Sequence, residues 1–260
     1  MLAEAAAHTA AILILAMALV MLAAPVGYRL RLWSALAALT KVTALGFITG
    51  GLAAVLALIA LAAGGWRVGP GTTAMLLAIV LAGVAAVTLP LRVKRIARSL
   101  PFNDVSTDTA TAPAFEALLP LRRAELPDAA AAYDGAKLAA LQQACYPDLA
   151  ALHLPVARLE AFAQALEAAK KMGWRIVAED RTRGRIEAYD STRWYGFIDD
   201  IVIRLMAEGA GTRLDMRSAS RVGISDLGKN AARIRRYRAM LEGTAIRPVR
   251  PSTGSEPDNL

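Results

Sequence analysis

Residues 42–64 read VTALGFITGGLAAVLALIALAAG, a stretch of 23 residues without a charged side chain. A bilayer core about 30 Å thick is crossed by roughly 20 apolar residues in a helix, because each residue adds about 1.5 Å. Residues 5–26 and 72–91 are two further uncharged stretches of that length. The sequence therefore predicts three transmembrane helices, and with them a lipid bilayer as the first partner of the chain.

Charge divides the chain near Arg92. Residues 1–91 contain four Lys or Arg and one acid, whereas residues 92–260 contain the other 26 bases and 21 acids. The charged part is long enough to build the core of one ordinary domain. We predict a three-helix transmembrane anchor at 1–91, a basic juxtamembrane segment and linker at 92–114, a soluble domain at 115–242 and a disordered tail at 243–260.

Lys and Arg are unevenly distributed over the connections between the predicted helices. The first connection holds Arg29, Arg31 and Lys41, and four bases follow the third helix within seven residues. The second connection, 65–71, holds only Arg67. Because bases accumulate on the cytoplasmic side, this pattern predicts a multi-pass protein of the inner (plasma) membrane. Its N-terminus would lie outside and its soluble domain in the cytoplasm.

Gly46 and Gly50 form a G-x-x-x-G pair in the second predicted helix. Small residues at this spacing let two helices approach closely in a membrane. The pair fits packing among the three helices of one chain, and it also fits a homodimer. The sequence leaves both interpretations open.

The residue types limit the chemistry that the chain can perform. Cys145 is the single cysteine, and His8 and His153 are the two histidines, so one chain cannot assemble a His/Cys metal site or a disulfide. We expect no cofactor, no metal and no catalytic residue of these types. The net charge of +8 comes from bases interleaved with acids. That arrangement favours an anionic membrane surface over nucleic acid, which we consider an unlikely partner.

Apolar periodicity organises the soluble part. A helix pattern, four strand patterns and a second helix pattern follow one another at 155–171, 175–179, 185–189, 201–206, 213–221 and 227–241. Residues 150–154 fit an additional first strand. Because the strands are joined by short links, the order predicts an α+β domain. Its antiparallel sheet would have four to five strands and be covered by helices on one face.

Side chains alternate between two faces along the last predicted strand. Arg213, Asp215, Arg217 and Arg221 share one face, and Ser218 and Ser220 share the other. We expect the charged side chains to lie together on the open face of the sheet. They would form either a solvated surface of cross-strand ion pairs or a site for an anionic ligand, headgroup or partner. The hypothetical binding residues are Asp200, Arg204, Asp215, Arg217, Ser218, Ser220, Arg221, Asp226 and Asn230.

Residues 223–230, GISDLGKN, have the spacing of a phosphate-binding loop, G-x-x-x-x-G-K-[ST]. Asn230 stands where that loop needs a hydroxyl for its metal ion, and the strands before it read as antiparallel neighbours. We therefore interpret the segment as a turn capped by Ser225 or Asp226.

A set of motifs runs through the soluble part. It comprises GW at 173–174, FIDD at 197–200 with Arg204, DMRSASRVG at 215–223, DLGKN at 226–230 and RI at 233–234, preceded by DVSTD at 104–108, PAF at 113–115 and YPD at 146–148. Over residues 100–242 these motifs resemble the domain of unknown function 1499 family. Lys229 departs from the resemblance, which implies a small apolar residue there. The resemblance implies a membrane-anchored bacterial member and imports no activity, because the family has none assigned.

The features together favour a non-enzymatic integral membrane protein whose soluble domain binds a protein partner or an anionic ligand at the membrane surface. The alternatives are a metal-independent enzyme acting on a phosphorylated or lipid substrate, an envelope scaffold and a transporter accessory subunit. A pocket where the polar side chains converge and stay partly exposed would favour a ligand or substrate. A fully paired surface would favour a scaffold.

Overall fold

The computed structural model describes residues 2–64, 69–125, 133 and 135–245. Most of the predicted tail and the Arg67 part of the second helix connection lie outside these residues. The chain divides into two compact units. The anchor unit comprises Met1–Asn103, Ser191–Ile198 and Val222–Leu227, and the soluble unit comprises Asp104–Asp190, Asp199–Arg221 and Gly228–Leu260.

The anchor unit contains the three predicted transmembrane helices. They are α1 (Leu2–Arg29), a helix that passes from α2 (Ala35–Ala37) through a π-helical turn (Ala38–Val42) into α3 (Thr43–Gly64), and α4 (Pro70–Ser99). Each is long and apolar enough to cross a membrane. Many of their leucines, isoleucines and valines are exposed, as expected where lipid covers the outer surface. The prediction of a membrane-associated protein is confirmed.

Glycines bring α3 close to both of its neighbours. A Cβ on Gly46 would lie 2.9 Å from Sδ of Met21 in α1, and one on Gly50 would lie 3.0 Å from Cβ of Ala86 in α4. From the other side, a Cβ on Gly83 would lie 2.5 Å from the carbonyl oxygen of Gly50. Gly83 needs glycine because its neighbour is the backbone of α3, whereas the contact at Gly46 is with the end of the flexible Met21 side chain. A homodimer through Gly46 and Gly50 stays a prediction, since both are buried against side chains of their own chain.

Helix α4 continues beyond the end that the sequence predicted. Pro90 lies inside it, and the basic residues that follow are helical up to Ser99. A proline removes one backbone hydrogen bond without always ending a helix, and bases near a helix C-terminus interact favourably with its dipole. The basic juxtamembrane segment is therefore helical up to Ser99.

The soluble unit is built on a six-stranded sheet with the order β1-β6-β5-β4-β3, in which β2 also pairs with β6. The strands are β1 (Asp104–Ser106), β2 (Leu152–Leu154), β3 (Arg175–Asp180), β4 (Arg185–Ser191), β5 (Ile198–Glu208) and β6 (Gly211–Ser220). The pairs of β6 with β1, β2 and β5, and of β3 with β4, are antiparallel. The α+β prediction is confirmed, and β1 is a strand in a stretch that was predicted to be linker.

Helices α7 (Arg158–Lys171) and α8 (Lys229–Ala245) pack against each other and against β6. Tyr237 of α8 is fully buried, donates a hydrogen bond to the carbonyl oxygen of Ala165 in α7 at 2.8 Å, and stacks on Trp174 with ring centroids 5.0 Å apart. Two further helices, α5 (Leu119–Glu125) and α6 (Gly135–Cys145), lie between β1 and β2 in the chain.

The opposite face of the sheet is also covered, so the expected open face was wrong. Phe115 and Leu118 pack against Val202 and Ala219. Glu187 of β4 fixes this cover, because its carboxylate accepts hydrogen bonds from the backbone N–H groups of residues 116, 117 and 118 at 2.9–3.1 Å. Most of the charged side chains on this face are therefore buried.

Candidate functional site

Asp200 is the centre of one buried group of charges. It has no exposed surface and accepts two hydrogen bonds from Arg221, at 2.7 and 2.8 Å, and one from Arg122 of α5 at 2.9 Å. Arg221 also pairs with Glu125 at 2.9 Å. Burial alone lowers the pKa of Arg221, but the hydrogen bonds and negative charges of Asp200 and Glu125 together outweigh burial and leave the pKa raised. Both buried guanidiniums thus pair with one fully buried carboxylate.

Arg217 joins β1 and the segment before α5 to β6. Its guanidinium donates two hydrogen bonds to Asp104, at 2.6 and 2.9 Å, and a longer one of 3.3 Å to the carbonyl oxygen of Pro113. The same group lies 4.7 Å from the ring centroid of Phe115 and 5.5 Å from that of Tyr133. Arg217 is 1 % exposed, so it has a structural role within the fold.

Ser218 and Ser220 of the S-x-S-R motif point to the other face of the sheet, where they contact Asn230. Ser218 donates to Oδ1 of Asn230 at 2.7 Å, and Nδ2 of Asn230 donates to Ser220 at 3.1 Å. Arg233, one turn further along α8, donates to Asp199 at 2.6 Å and to Asn230. Alternate residues of β6 thereby fix the first turn of α8. Asn230 is fully buried in these contacts, which fits the interpretation of 223–230 as a turn.

One corner of the charged face is partly exposed. Arg204 of β5 and Arg213 of β6 each donate to both Asp108 and Asp215, at 2.9–3.3 Å. The side chains of Arg204 and Arg213 are 23 % and 31 % exposed, whereas Asp215 has no exposed side-chain surface. Among the described residues, Nε of Arg204 is buried and has no hydrogen-bond acceptor. We call these four residues the arginine corner.

The pKa of Asp108 gives the arginine corner a pH dependence. Burial raises this pKa, but hydrogen bonds from Thr111 and the charge of Arg204 outweigh burial and leave it lowered. The unfolded carboxyl, with a pKa near 3.8, therefore takes up its proton at a higher pH than the folded one. The stability that Asp108 contributes is complete above that value and is lost as the pH falls through the folded pKa.

Urea unfolding of the full chain in detergent should show this loss. Asp108→Asn cannot titrate, so the gap between its unfolding midpoint and that of the wild type should stay constant from pH 7 to about 5. The gap should narrow below about pH 4. Thr111→Val removes one donor to Asp108 (the 2.7 Å hydrogen bond from its hydroxyl) and should move the narrowing to higher pH. If the unfolding midpoints of the wild type and Asp108→Asn differ by the same amount at every pH down to 3, the lowered pKa of Asp108 is contradicted.

The structure brings most of the predicted binding residues into the soluble unit but divides them among three groups. Asp200 and Arg221 belong to the first, Ser218, Ser220 and Asn230 to the second, and Arg204 and Asp215 to the arginine corner, while Arg217 links β1 to the sheet. Asp226 lies in the anchor unit and is buried. Eight of the nine are buried, and Arg204 is partly exposed.

The list of hypothetical binding residues left out several residues that complete these groups. They are Asp104, Asp108, Arg122, Asp199, Arg213 and Arg233. Alternation along β6 already placed Arg213 on the face of Asp215, so that residue had a usable signal. Arg122 lies on a seven-residue helix whose position no local pattern indicates. Within the described part of the chain, no group of three His, Cys, Asp or Glu side chains is placed to hold a metal ion.

Comparison with protein families identifies the soluble unit. A family profile described as "Protein of unknown function (DUF1499)" matches residues 104–241, which is more than half of the chain and coincides with the soluble unit from β1 to α8. No curated protein matches the chain. The resemblance inferred from the motifs is confirmed.

Proposed function

The chain belongs to the DUF1499 family, and on that premise we propose that it is a membrane-anchored, non-enzymatic binding protein of the inner membrane. Its soluble unit binds an anionic group, carried by a ligand or by a protein partner, at the arginine corner. The predicted sidedness is part of the proposal: the N-terminus lies outside and the soluble unit lies in the cytoplasm. The bases near the ends of α1 and α4 support this orientation.

The observation that carries the proposal is the donor on Arg204. Buried N–H groups in folded proteins nearly always find an acceptor, because leaving one unmet costs about 1–3 kcal/mol. Nε of Arg204 has none among the described residues, and its guanidinium lies beside the more exposed Arg213. Two planar guanidiniums side by side suit the oxygens of a phosphate or carboxylate group. Of the other predicted residues, Asp215 pairs with both arginines and fixes their positions.

The alternative of a metal-independent enzyme acting on a phosphorylated or lipid substrate would use the same two arginines. We favour binding without turnover because the buried aspartates of the soluble unit already accept hydrogen bonds from arginines. Asp199, Asp200 and Asp215 are all buried and each accepts hydrogen bonds from at least one arginine. A carboxylate held in this way is a poor general base. An envelope scaffold and a transporter accessory subunit are compatible with the binding role and differ from it only in the partner.

Phosphate-dependent thermal stability tests the proposal. The full chain would be placed in nanodiscs of neutral lipid and unfolded with increasing inorganic phosphate or with chloride at matched ionic strength. A ligand that binds only the folded state stabilises it by about 2.7 kcal/mol at a concentration 100-fold above its Kd. We expect the Tm of the wild type to rise with phosphate and to saturate.

The matched variants are Arg213→Gln, in the arginine corner, and Arg183→Gln, which removes an exposed arginine that also pairs with two acids, Asp180 and Glu116. Each variant is compared with its own Tm in chloride, so that a change in basal stability does not matter. The phosphate response should disappear in Arg213→Gln and persist in Arg183→Gln. Equal responses in both variants, or none in the wild type, would overturn the proposed site.

A further inference from the structure

Two connections of the sheet belong to the anchor unit. Ser191–Ile198 joins β4 to β5, and Val222–Leu227 joins β6 to α8. Neither contributes to the arginine corner. Both carry large apolar side chains exposed to solvent: Trp194 is 57 % exposed and Ile224 is 82 % exposed.

Aromatic contacts hold Ser191–Ile198 at the end of a transmembrane helix. The rings of Tyr195 and Phe197 are stacked with centroids 4.8 Å apart, and Phe197 meets the ring of Tyr28 in α1 edge to face at 5.1 Å. The hydroxyl of Tyr195 is 2.9 Å from that of Thr43, the first residue of α3. Arg29, the last residue of α1, donates to the carbonyl oxygen of Arg193. These contacts place the segment at the boundary where α1 ends and α3 begins.

Internal hydrogen bonds fix the shape of the segment. The N–H of Thr192 donates to the carbonyl oxygen of Phe197 at 2.8 Å, and the N–H of Gly196 donates to that of Thr192 at 2.8 Å. Gly196 has a φ of +78°, which suits glycine. Trp194 therefore stands at the tip of a closed loop. Its exposure is a property of a defined conformation.

Composition indicates what covers these side chains. The parts of the chain that form the anchor unit contain nine Lys or Arg and only two acids, Glu4 and Asp226. Tryptophan, tyrosine and arginine at the ends of transmembrane helices are typical of the lipid headgroup region, where one end of the side chain is apolar and the other is wet. An anionic leaflet attracts such bases. A protein partner would find the same apolar side chains, but the bilayer is already present where α1 ends.

We infer that Ser191–Ile198 and Val222–Leu227 form a lipid-contact surface, with Trp194 and Ile224 in the headgroup region of the bilayer and Arg193 beside anionic lipid phosphates. This inference does not rest on the arginine corner. The corner lies in the soluble unit and is tested with free phosphate in neutral lipid.

Quenching of tryptophan fluorescence by brominated lipid tests the surface. The full chain is placed in nanodiscs of phosphatidylglycerol or phosphatidylcholine, brominated near the headgroup end of the acyl chain. The signal of Trp194 is the difference between wild type and Trp194→Phe. The matched control is the difference between wild type and Trp174→Phe, since Trp174 is 5 % exposed and stacked on Tyr237 in the soluble unit.

We expect the Trp194 signal to be quenched at least twofold more by brominated phosphatidylglycerol than the Trp174 signal, and less strongly in phosphatidylcholine. Ile224→Trp on the Trp194→Phe background gives a second reporter, which should also be quenched. A Trp194 signal that brominated lipid leaves unchanged would overturn the inference. In that case, quenching of the Trp194 signal by water-soluble acrylamide would indicate that Trp194 lies in open solvent. Absence of acrylamide quenching would indicate that a protein partner covers it. Equal quenching in both lipids would overturn the role of Arg193.

Discussion

Asp200→Asn is expected to lower the free energy of unfolding of the soluble unit by roughly 3–5 kcal/mol, the cost of leaving a buried charge without its partner. Asparagine keeps the shape of the side chain and removes its charge. Arg122 and Arg221 are 6 % and 3 % exposed. Both would lose the charge of Asp200, and Arg221 would keep only its pair with Glu125. Because small domains are stable by only about 5–15 kcal/mol, this single change removes a large share of the total.

Hydrogen exchange in the full chain measures this loss where it occurs. The amides of β5 and β6 should exchange faster in Asp200→Asn, while those of α1 and α3 keep the wild-type rates. Asp180→Asn is the control, since Asp180 is an exposed acid paired with Arg183 and its loss should leave β5 and β6 unchanged. The double variant Asp200→Asn/Arg221→Gln should recover part of the stability, because one of the two buried cations that lose Asp200 is gone. A double variant that is less stable than Asp200→Asn alone would contradict this explanation.

Local patterns predicted the parts of the fold that are decided locally. An uncharged run such as 42–64 has one stable solution in a membrane, a helix, because only there are its backbone groups satisfied within the segment. The strands from β3 to β6 and the helix α7 followed from periodicities of two and 3.6 residues. Short links, such as the one between Glu208 and Gly211, then made antiparallel neighbours of consecutive strands.

The second layer over the sheet could not be predicted in the same way. The stretch from Asp104 to Leu118 has little periodicity, and β1 is only three residues long. Strand β1 pairs with residues of β6 that lie more than 100 positions further along the chain. Gln142 of α6 holds it from the other side, bonding both the N–H and the carbonyl oxygen of Ser106. Long-range contacts of this kind leave no signal in a short window of sequence.

The charged face of the sheet was expected to be open to solvent, and this expectation failed for a related reason. Alternation correctly placed Arg213, Asp215 and Arg217 on one face, but charges on a face usually indicate solvent. Only the return of Phe115 and Leu118 over that face makes it an interior. In hindsight, the balance of acids and bases on the face was informative, because buried charges need partners.

Arg217→Met is the second change with a large expected effect, again a loss of roughly 3–5 kcal/mol in the free energy of unfolding. Methionine is flexible and apolar, so it can occupy the space between the rings of Phe115 and Tyr133. What it removes is the charge, the two hydrogen bonds to Asp104 and the bond to Pro113. Protection of the β1 amides against hydrogen exchange should fall first. Arg213→Met, on the same strand but partly exposed, should cost clearly less.

A double-mutant cycle with Asp104→Asn separates the ion pair from the packing. If the pair with Asp104 dominates, Arg217→Met should cost far less in the Asp104→Asn background than in the wild type, with a coupling of at least 1 kcal/mol. Additive losses would contradict that view and assign the effect to the aromatic and backbone contacts. In either case, an Arg217 variant that no longer binds a ligand or protein partner would reflect damage to the edge of the sheet, because the Arg217 side chain is buried behind Phe115 and β1. Ligand binding must therefore be tested at Arg213, where the side chain reaches solvent and Asp215 keeps Arg204 as its partner.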